Sequence, residues 1–203
     1  MIIDFLGTPG CGKTYLVNSL VERTKHRQIK CVNITENSRS KLFWKIKFKV
    51  YGFISLIYFH KLYKHLSLIL KNYQHIKPKY SESNVRAYLR SLILRLYLYR
   101  LYNKKKDLYV QDEGVLQLIA TICVNFNVDE NSLREMISLF VFPQTIFLNR
   151  QICICKDNIK KRNRHVCAID ELKDTELDEF LSLFKEKCEF LCSLTGNLIT
   201  VTY

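Results

Sequence analysis

Proline and glycine are scarce in this chain of 203 residues, which contains three prolines and six glycines. Disordered segments are usually enriched in these residues and poor in apolar ones, whereas 48% of this chain is hydrophobic. We therefore expect a folded chain with few flexible linkers, and its length fits one domain.

A long apolar run is missing as well. The most apolar window, residues 50–59, spans ten residues, whereas a membrane-spanning helix needs about 20. The N-terminus has no basic, apolar leader, and the eight cysteines do not pair at zinc-finger spacing. These absences argue against a disulfide framework or a membrane span and favour a cytoplasmic location.

Acidic residues are almost absent from one third of the chain. Residues 37–106 include seventeen Lys and Arg residues and a single acidic residue, Glu82. That stretch therefore carries a net charge of +16, compared with +13 for the whole chain. Such a patch indicates an anionic partner: a small-molecule or glycolipid acceptor, an anionic inner membrane surface that binds the protein peripherally, or, less well, nucleic acid. A solvated helical lobe without a partner is the alternative.

The N-terminal residues contain a phosphate-binding motif. Residues 7–14, Gly-Thr-Pro-Gly-Cys-Gly-Lys-Thr, match the pattern G-x-x-x-x-G-K-[ST] at every position. An apolar run, residues 2–6, precedes the motif, and a helical pattern, residues 15–21, follows it. Strand, glycine-rich loop and helix in this order predict a binding loop for a nucleoside triphosphate.

The residues of this loop have different predicted roles. Backbone N–H groups wrap the phosphates, the Lys13 ammonium reaches the β- and γ-phosphates, and the Thr14 hydroxyl binds Mg²⁺. The predicted nucleotide-binding residues are Gly7, Thr8, Pro9, Gly10, Cys11, Gly12, Lys13 and Thr14. ATP and Mg²⁺ are the expected cofactors, with adenine as the default base because no guanine-reading motif is present.

A second element with an acidic end lies near the middle of the chain. An apolar run begins at Leu108 and ends in Asp112-Glu113, and a helical pattern follows it. This is the form of a Walker B strand, whose aspartate contributes to the Mg²⁺ site, so we predict Asp112 as a second metal ligand. Asp112 or Glu113 would take the proton of an acceptor hydroxyl.

Three further residues are candidates for binding the acceptor. Glu36 and Arg39 lie in a polar loop after a predicted strand, residues 29–35, and ligands bind at the carboxyl edge of open α/β sheets. Arg95 lies on the opposite side of the predicted helix 85–104 from its other basic residues. Because this helix is apolar nearly all round, a lone arginine on its other face is expected to pair with or bind an anion, and a side chain that reaches solvent is the alternative.

The order of elements resembles that of the P-loop kinases, the superfamily of adenylate and thymidylate kinases, over essentially the whole chain. The predicted strands are residues 2–6, 29–35, 108–112, 144–148 and 198–203. The resemblance implies a three-layer α/β fold, with a five-stranded, mostly parallel sheet and helices on both faces. It also implies a basic helical acceptor region at about residues 38–106 and a lid at about 151–167.

In this family the lid carries arginines that close over the phosphates. Its pattern, roughly R-I-x-x-R-x-R, aligns with residues 158–164, in which Arg162 and Arg164 match and Asn158 replaces the first arginine. The resemblance implies a phosphotransferase in which Lys13, Arg162 and Arg164 neutralise charge on the transferred group. The acceptor would be a nucleotide, a sugar or a glycolipid.

Two other functions fit parts of the sequence. An ATPase whose Walker B strand ends in Asp-Glu would use Glu113 to activate water. In that class another strand separates the phosphate-loop strand from the aspartate strand, so direct pairing of residues 2–6 with 108–112 would favour the kinase. A nucleic-acid-binding protein would use the basic, aromatic stretch 41–77 for phosphate contacts and base stacking, although no known nucleic-acid motif accompanies it.

Overall fold

In the computed structural model of the chain, residues 1–24, 31–33, 42–103, 107–162, 168–196 and 198–202 are described. The strands are β1 (Ile2–Leu6), β2 (Cys31–Asn33), β3 (Leu108–Gln111), β4 (Gln144–Asn149) and β5 (Leu198–Thr202). The helices are α1 (Lys13–Thr24), α2 (Leu42–Tyr58), α3 (His60–Ile69), α4 (Val85–Asn103), α5 (Val115–Phe126), α6 (Glu130–Ser138), α7 (Ile152–Arg162) and α8 (Asp174–Leu194). Short 3₁₀ segments lie at Lys71–Tyr73 and Ala168–Glu171.

The strands form one parallel sheet in the order β2-β3-β1-β4-β5. Strand β1 is central, since Ile3 is in register with Val110 of β3 on one side and with Gln144 of β4 on the other. Parallel strands are joined by helical crossovers that cover the sheet, which explains why Phe5 and Leu6 are buried. The predicted α/β class with a parallel sheet is confirmed.

The basic stretch between β2 and β3 is mostly helical where it is described, with an irregular segment at residues 74–84. Helix α2 packs against α4, and the rings of Tyr51 and Tyr97 meet edge to face at 5.8 Å between centroids. The predicted helix 85–104 corresponds to α4. No helix in the part of the chain that the structure describes is long and apolar enough to cross a membrane.

Helix α5 connects the core to the site. It contacts α4, α8 and β1, and ten of its 12 residues are buried. Two of the buried residues, Gln117 and Asn125, are polar and accept hydrogen bonds from backbone N–H groups. Buried amides need such partners: Gln117 accepts from Gly7, the first residue of the phosphate loop, and Asn125 accepts from Tyr80.

Candidate active site

The loop that joins β1 to α1 has a backbone that favours glycine. The angle φ is +84° at Gly10 and +102° at Gly12, values that residues with a Cβ rarely adopt. A Cβ atom at Gly10 would overlap the backbone carbonyl group of Cys155 in α7. Gly10 therefore turns the loop and also allows α7 to approach it.

Two side chains from the region after β4 hold the outer side of this loop. Asn158 Nδ2 donates a hydrogen bond to the carbonyl oxygen of Gly10 at 2.8 Å. Arg150 Nη1 donates to the carbonyl oxygen of Cys11 at 3.4 Å. Asn158 occupies the position of the first lid arginine in the family pattern, and here it contacts the phosphate loop.

The Lys13 side chain folds back over the loop. Its Nζ atom lies 2.5 Å from the carbonyl oxygen of Gly7 and 3.2 Å from that of Thr8. These two oxygens hold the ammonium group at the edge of the cavity described below. A phosphate bound in the loop would compete with them for the same positive charge.

Thr14 and Asp112 are in direct contact. The Thr14 hydroxyl donates to Asp112 Oδ2 at 2.9 Å, an arrangement made possible by the pairing of β1 with β3. Asp112 is 4% exposed, and its Oδ1 atom has no hydrogen-bond partner among the described residues. A buried carboxylate oxygen without a partner costs free energy unless a cation or donor satisfies it.

These two residues fit Mg²⁺. Hydroxyl and carboxylate oxygens are ligands that Mg²⁺ prefers, and the ion usually completes its shell with water and substrate phosphates. Among the residues that the structure describes, no group of three or more His, Cys, Asp or Glu side chains could hold a metal ion.

Glu113 follows Asp112 and is paired with Arg95. Glu113 Oε2 lies 3.9 Å from Arg95 Nη2, and the two side chains are 50% and 14% exposed. Glu113 is thus an anionic neighbour of Arg95. Arg95 is not among the residues that line the cavity beside the loop, and its predicted contact with an acceptor stays a prediction.

A buried carboxylate that sequence reasoning missed lies next to this pair. Asp4 of β1 is 1% exposed and accepts a hydrogen bond from the Tyr99 hydroxyl, which in turn accepts one from the Val115 N–H. Burial raises the pKa of Asp4 to about 7, although the Tyr99 hydrogen bond and the Arg95 charge act in the opposite direction. Its signal in the sequence is a single acidic residue inside an apolar strand.

We expect Asp4 to make the folded chain less stable as the pH rises from about 4 to about 7. In the unfolded chain the carboxyl group ionises near pH 3.8, whereas in the folded chain it stays protonated to about pH 7. The ionised form is thus penalised only in the folded state, by at most about 4 kcal/mol above pH 7. The measurement is the melting temperature of the wild type and of Asp4→Asn across this pH range.

The difference between these two melting temperatures should change in favour of Asp4→Asn up to about pH 7 and then stay constant. Asp157→Asn, which changes an exposed carboxylate in the same way, serves as the control variant. A difference that does not vary with pH would contradict the assignment.

A cavity of about 710 Å³ opens beside the phosphate loop. One wall is polar and charged and comes from the loop and the end of β3: Gly12, Lys13, Thr14, Asp112 and Glu113. Aromatic residues line the same cavity: Tyr80, Tyr88, Phe180 and Phe184. Binding sites for small molecules typically have volumes of roughly 300–1,000 Å³, so the cavity is large enough for a second substrate.

Helix α5 contributes a polar stripe to the cavity. Gln117, Thr121 and Asn125 all line it, at a spacing of four residues that places them on one side of the helix. Gln117 Oε1 accepts the N–H of Gly7 at 3.1 Å, and Asn125 Oδ1 accepts the N–H of Tyr80 at 3.0 Å. Sequence reasoning missed this stripe, although three polar residues at helical spacing in an apolar helix are a readable signal.

Tyr80 contributes an aromatic ring to the cavity lining. Tyr80 is 5% exposed, its ring meets that of Phe180 at 4.8 Å between centroids, and it lines the cavity. The Lys79 ammonium group lies over this ring, 5.0 Å from its centroid.

Of the predicted lid residues, Arg162 lies at this cavity. It is the last residue of α7, is exposed and contributes to the lining. Arg164, together with the predicted acceptor residues Glu36 and Arg39, lies outside the described residues.

Other basic residues of the same segment have structural partners. Lys156 Nζ lies 2.6 Å from Asp178 Oδ2, and Lys160 Nζ lies 2.5 Å from Asp174 Oδ1. These ion pairs join α7 to α8. Two lysines of the predicted lid therefore help to hold α7 in place.

Solved structures with this fold exist, although sequence comparison alone does not find relatives. No protein-family model and no curated protein matches the chain. The chain is similar to the deoxyadenosine kinase of M. mycoides in its structure with bound dATP, with 15% identity and a TM-score of 0.54, covering 100% of this chain and 91% of that one. For the thymidylate kinase of Ehrlichia chaffeensis the identity is 14% and the TM-score 0.51, covering 100% of this chain and 86% of that one.

Strand order and shape agree with the resemblance read from the motifs. The phosphate-loop strand pairs directly with the strand that leads to Asp112, and the similarity extends over the full chain. The chain has the fold of the P-loop kinase superfamily.

Proposed function

We propose that this protein is a phosphotransferase that moves the γ-phosphate of ATP to an acceptor bound in the cavity of about 710 Å³. The observation that carries the proposal is that one cavity is lined both by the phosphate loop and by an aromatic and polar wall. An enzyme that only hydrolyses ATP needs room for one water molecule beyond the phosphate. A cavity of this size beside Lys13 and Asp112 favours a second substrate.

The residues around the cavity have different proposed roles in the transfer. Backbone N–H groups of the loop would hold the phosphates, and Thr14 and Asp112 would hold Mg²⁺, which supplies charge neutralisation when it is bound. Lys13 and Arg162 would neutralise charge on the transferred group, and we keep Arg164 as a third such residue. Phosphoryl transfer requires mostly positioning and charge stabilisation, which these groups can supply.

Glu113 is the better placed of the two proposed proton acceptors. Its side chain is half exposed at the cavity and is oriented by Arg95, whereas Asp112 is engaged with Thr14. A carboxylate at hydrogen-bond reach of an acceptor hydroxyl can take its proton during the transfer.

The acceptor is best sought first among nucleosides and nucleotides. Aromatic rings at Tyr80, Tyr88 and Phe180 suit a planar base, and amide groups at Gln117 and Asn125 suit its polar edge. The names of the similar structures, a deoxyadenosine kinase and a thymidylate kinase, support the same class. Sugars and glycolipids remain in the proposal as acceptors to be tested alongside.

The test is incubation of the protein with γ-labelled ATP, Mg²⁺ and separate pools of nucleosides, nucleotides, sugars and glycolipids. We expect the label to move to a member of one pool, in a reaction that stops when Mg²⁺ is chelated. Release of labelled phosphate at the same rate with and without every pool would overturn the proposal in favour of an ATPase.

Replacement of Glu113 by glutamine separates a kinase from a hydrolase. We expect Glu113→Gln to lower the rate of transfer by about tenfold, since a loose transition state needs little help from a base. A hydrolase that uses Glu113 to activate water would lose about 10³-fold or more of its turnover. The measurement is the initial rate of each variant with the acceptor identified above.

Glu82→Gln is the matched control, because it makes the same change at another acidic residue of the cavity lining. Its rate should stay within a few-fold of the wild type. Loss of nearly all turnover in Glu113→Gln, with Glu82→Gln active, would favour the hydrolase. The direct pairing of β1 with β3 already supports the kinase against that class.

A further inference from the structure

Helix α2 presents an apolar stripe on its outer side. Ile46, Val50, Phe53 and Ile57 are 55%, 49%, 69% and 61% exposed. Their spacing of four, three and four residues places them on one side of the helix. Isolated exposed apolar residues are ordinary, but a contiguous stripe of large ones marks an interaction surface. We refer to these four residues as the α2 face.

The other side of α2 is fixed in the protein. Ser55 is fully buried, and the Tyr51 ring packs against Tyr97 of α4. The guanidinium group of Arg100, also on α4, lies over the Tyr58 ring at 4.4 Å from its centroid. Because these contacts set the rotation of the helix, the α2 face stays on the outside.

Exposed lysines lie on α2 itself and on α3, the helix that follows it in the chain. Lys49 of α2 and Lys61 and Lys64 of α3 are exposed, and within the described ranges none of the three forms an ion pair. The sequence has no acidic residue from 37 to 81. Unpaired lysines beside exposed aliphatic side chains are the composition of a helix that lies in the interface of an anionic membrane.

The same features argue against other occupants of the α2 face. A second copy of the chain, docked face to face, would bring two stretches of like charge together, which costs free energy. Single-stranded nucleic acid binds through aromatic stacking platforms, whereas three of the four side chains of the face are aliphatic. An anionic lipid surface fits both the apolar side chains and the lysines, because the acyl region can bury the former and the anionic headgroups can bind the latter.

We propose that the α2 face docks this protein peripherally on anionic lipid, with α2 lying along the membrane surface. The face is separate from the residues that line the cavity. The inference is therefore independent of the proposed phosphotransfer and can fail without it.

The test is flotation of the full chain with vesicles of phosphatidylcholine, with and without phosphatidylglycerol. We expect binding to the anionic vesicles only, and weakening with added salt. Phe53→Gln/Ile57→Gln should lower the partition coefficient at least tenfold, because two large apolar side chains leave the acyl region. Lys49→Gln/Lys61→Gln/Lys64→Gln should lower it roughly fivefold for each lysine removed.

Val141→Gln/Ile199→Gln is the matched control, since it removes two other exposed apolar side chains, which are 92% and 51% exposed. It should bind vesicles like the wild type, and the far-UV circular dichroism of all variants should agree. Absence of vesicle binding, or equal binding to phosphatidylcholine alone, would overturn the proposal. So would a concentration-dependent dimer that Phe53→Gln/Ile57→Gln abolishes, because that result would assign the face to a second copy.

Discussion

Phosphoryl transfer by a Lys13→Met variant is expected to fall by about 10³-fold or more. A single cationic group directed at the transferred phosphate is worth about 10³–10⁵ in rate where arginines supply it, and Lys13 is the cation held within the loop itself. Its ammonium lies 2.5 Å from the Gly7 carbonyl oxygen, so it starts next to the position that the phosphates would occupy. Methionine keeps an unbranched side chain and removes the ammonium group, with its charge and its N–H donors. Initial rates with labelled ATP give the effect.

Two comparisons make this result interpretable. Lys187→Met removes a partly buried lysine of α8 that pairs with Glu186, and it should leave the rate unchanged. Since Lys13 also donates hydrogen bonds to two loop carbonyl oxygens, the melting temperature of Lys13→Met shows whether the loop keeps its fold. A correctly folded Lys13→Met variant with the wild-type rate would show that the phosphate loop does not serve the transfer.

Asp112→Asn is expected to lower the rate at least about a hundredfold and to raise the concentration of Mg²⁺ needed for half-maximal activity. Stabilisation of charge by a bound metal ion is worth several kcal/mol, which corresponds to two or more powers of ten in rate. Asp112 is 4% exposed and meets the Thr14 hydroxyl at 2.9 Å. Asparagine preserves that hydrogen bond and the shape of the side chain, so the change isolates the negative charge. Initial rates measured across a Mg²⁺ titration give both quantities.

Asp107→Asn serves as the control for Asp112→Asn. Asp107 precedes β3, so it lies at the opposite end of the same strand, where it accepts a hydrogen bond from Tyr109. The two variants lose the same charge from opposite edges of the sheet. If both show the same Mg²⁺ requirement as the wild type, Asp112 is not a ligand and the metal site must be sought elsewhere.

The sequence was sufficient to predict the parts of the site that depend on local patterns. The phosphate loop needs particular residue types at fixed spacing, because the glycines at 10 and 12 adopt positive φ and Lys13 begins a helix. The position of Asp112 beside the loop, where it meets Thr14, could be predicted because an apolar strand that ends in an acidic residue is typical of a Walker B strand when it follows a phosphate loop. The parallel sheet follows from the alternation of apolar runs and helices.

The parts that the sequence did not reveal depend on contacts between distant segments. Asn158 reaches Gly10 across 148 positions of sequence, and Tyr99 reaches Asp4 across 95. No periodicity encodes such pairs, since they arise only when β1 becomes the central strand of the sheet. The polar stripe of α5 is different, because its spacing was visible at Gln117, Thr121 and Asn125, but the purpose of the stripe appears only beside the Tyr80 segment.

Cys11 carries a last consequence. It lies in the middle of the phosphate loop, yet its side chain is fully buried, while Cys153 on α7 is exposed. An alkylating reagent can therefore reach the Cys11 thiol only when the loop opens transiently. We expect Cys11 to be labelled more slowly than Cys153, at a rate set by how often the loop opens. The native Cys11 thiol can therefore report the opening rate of the phosphate loop without an added probe.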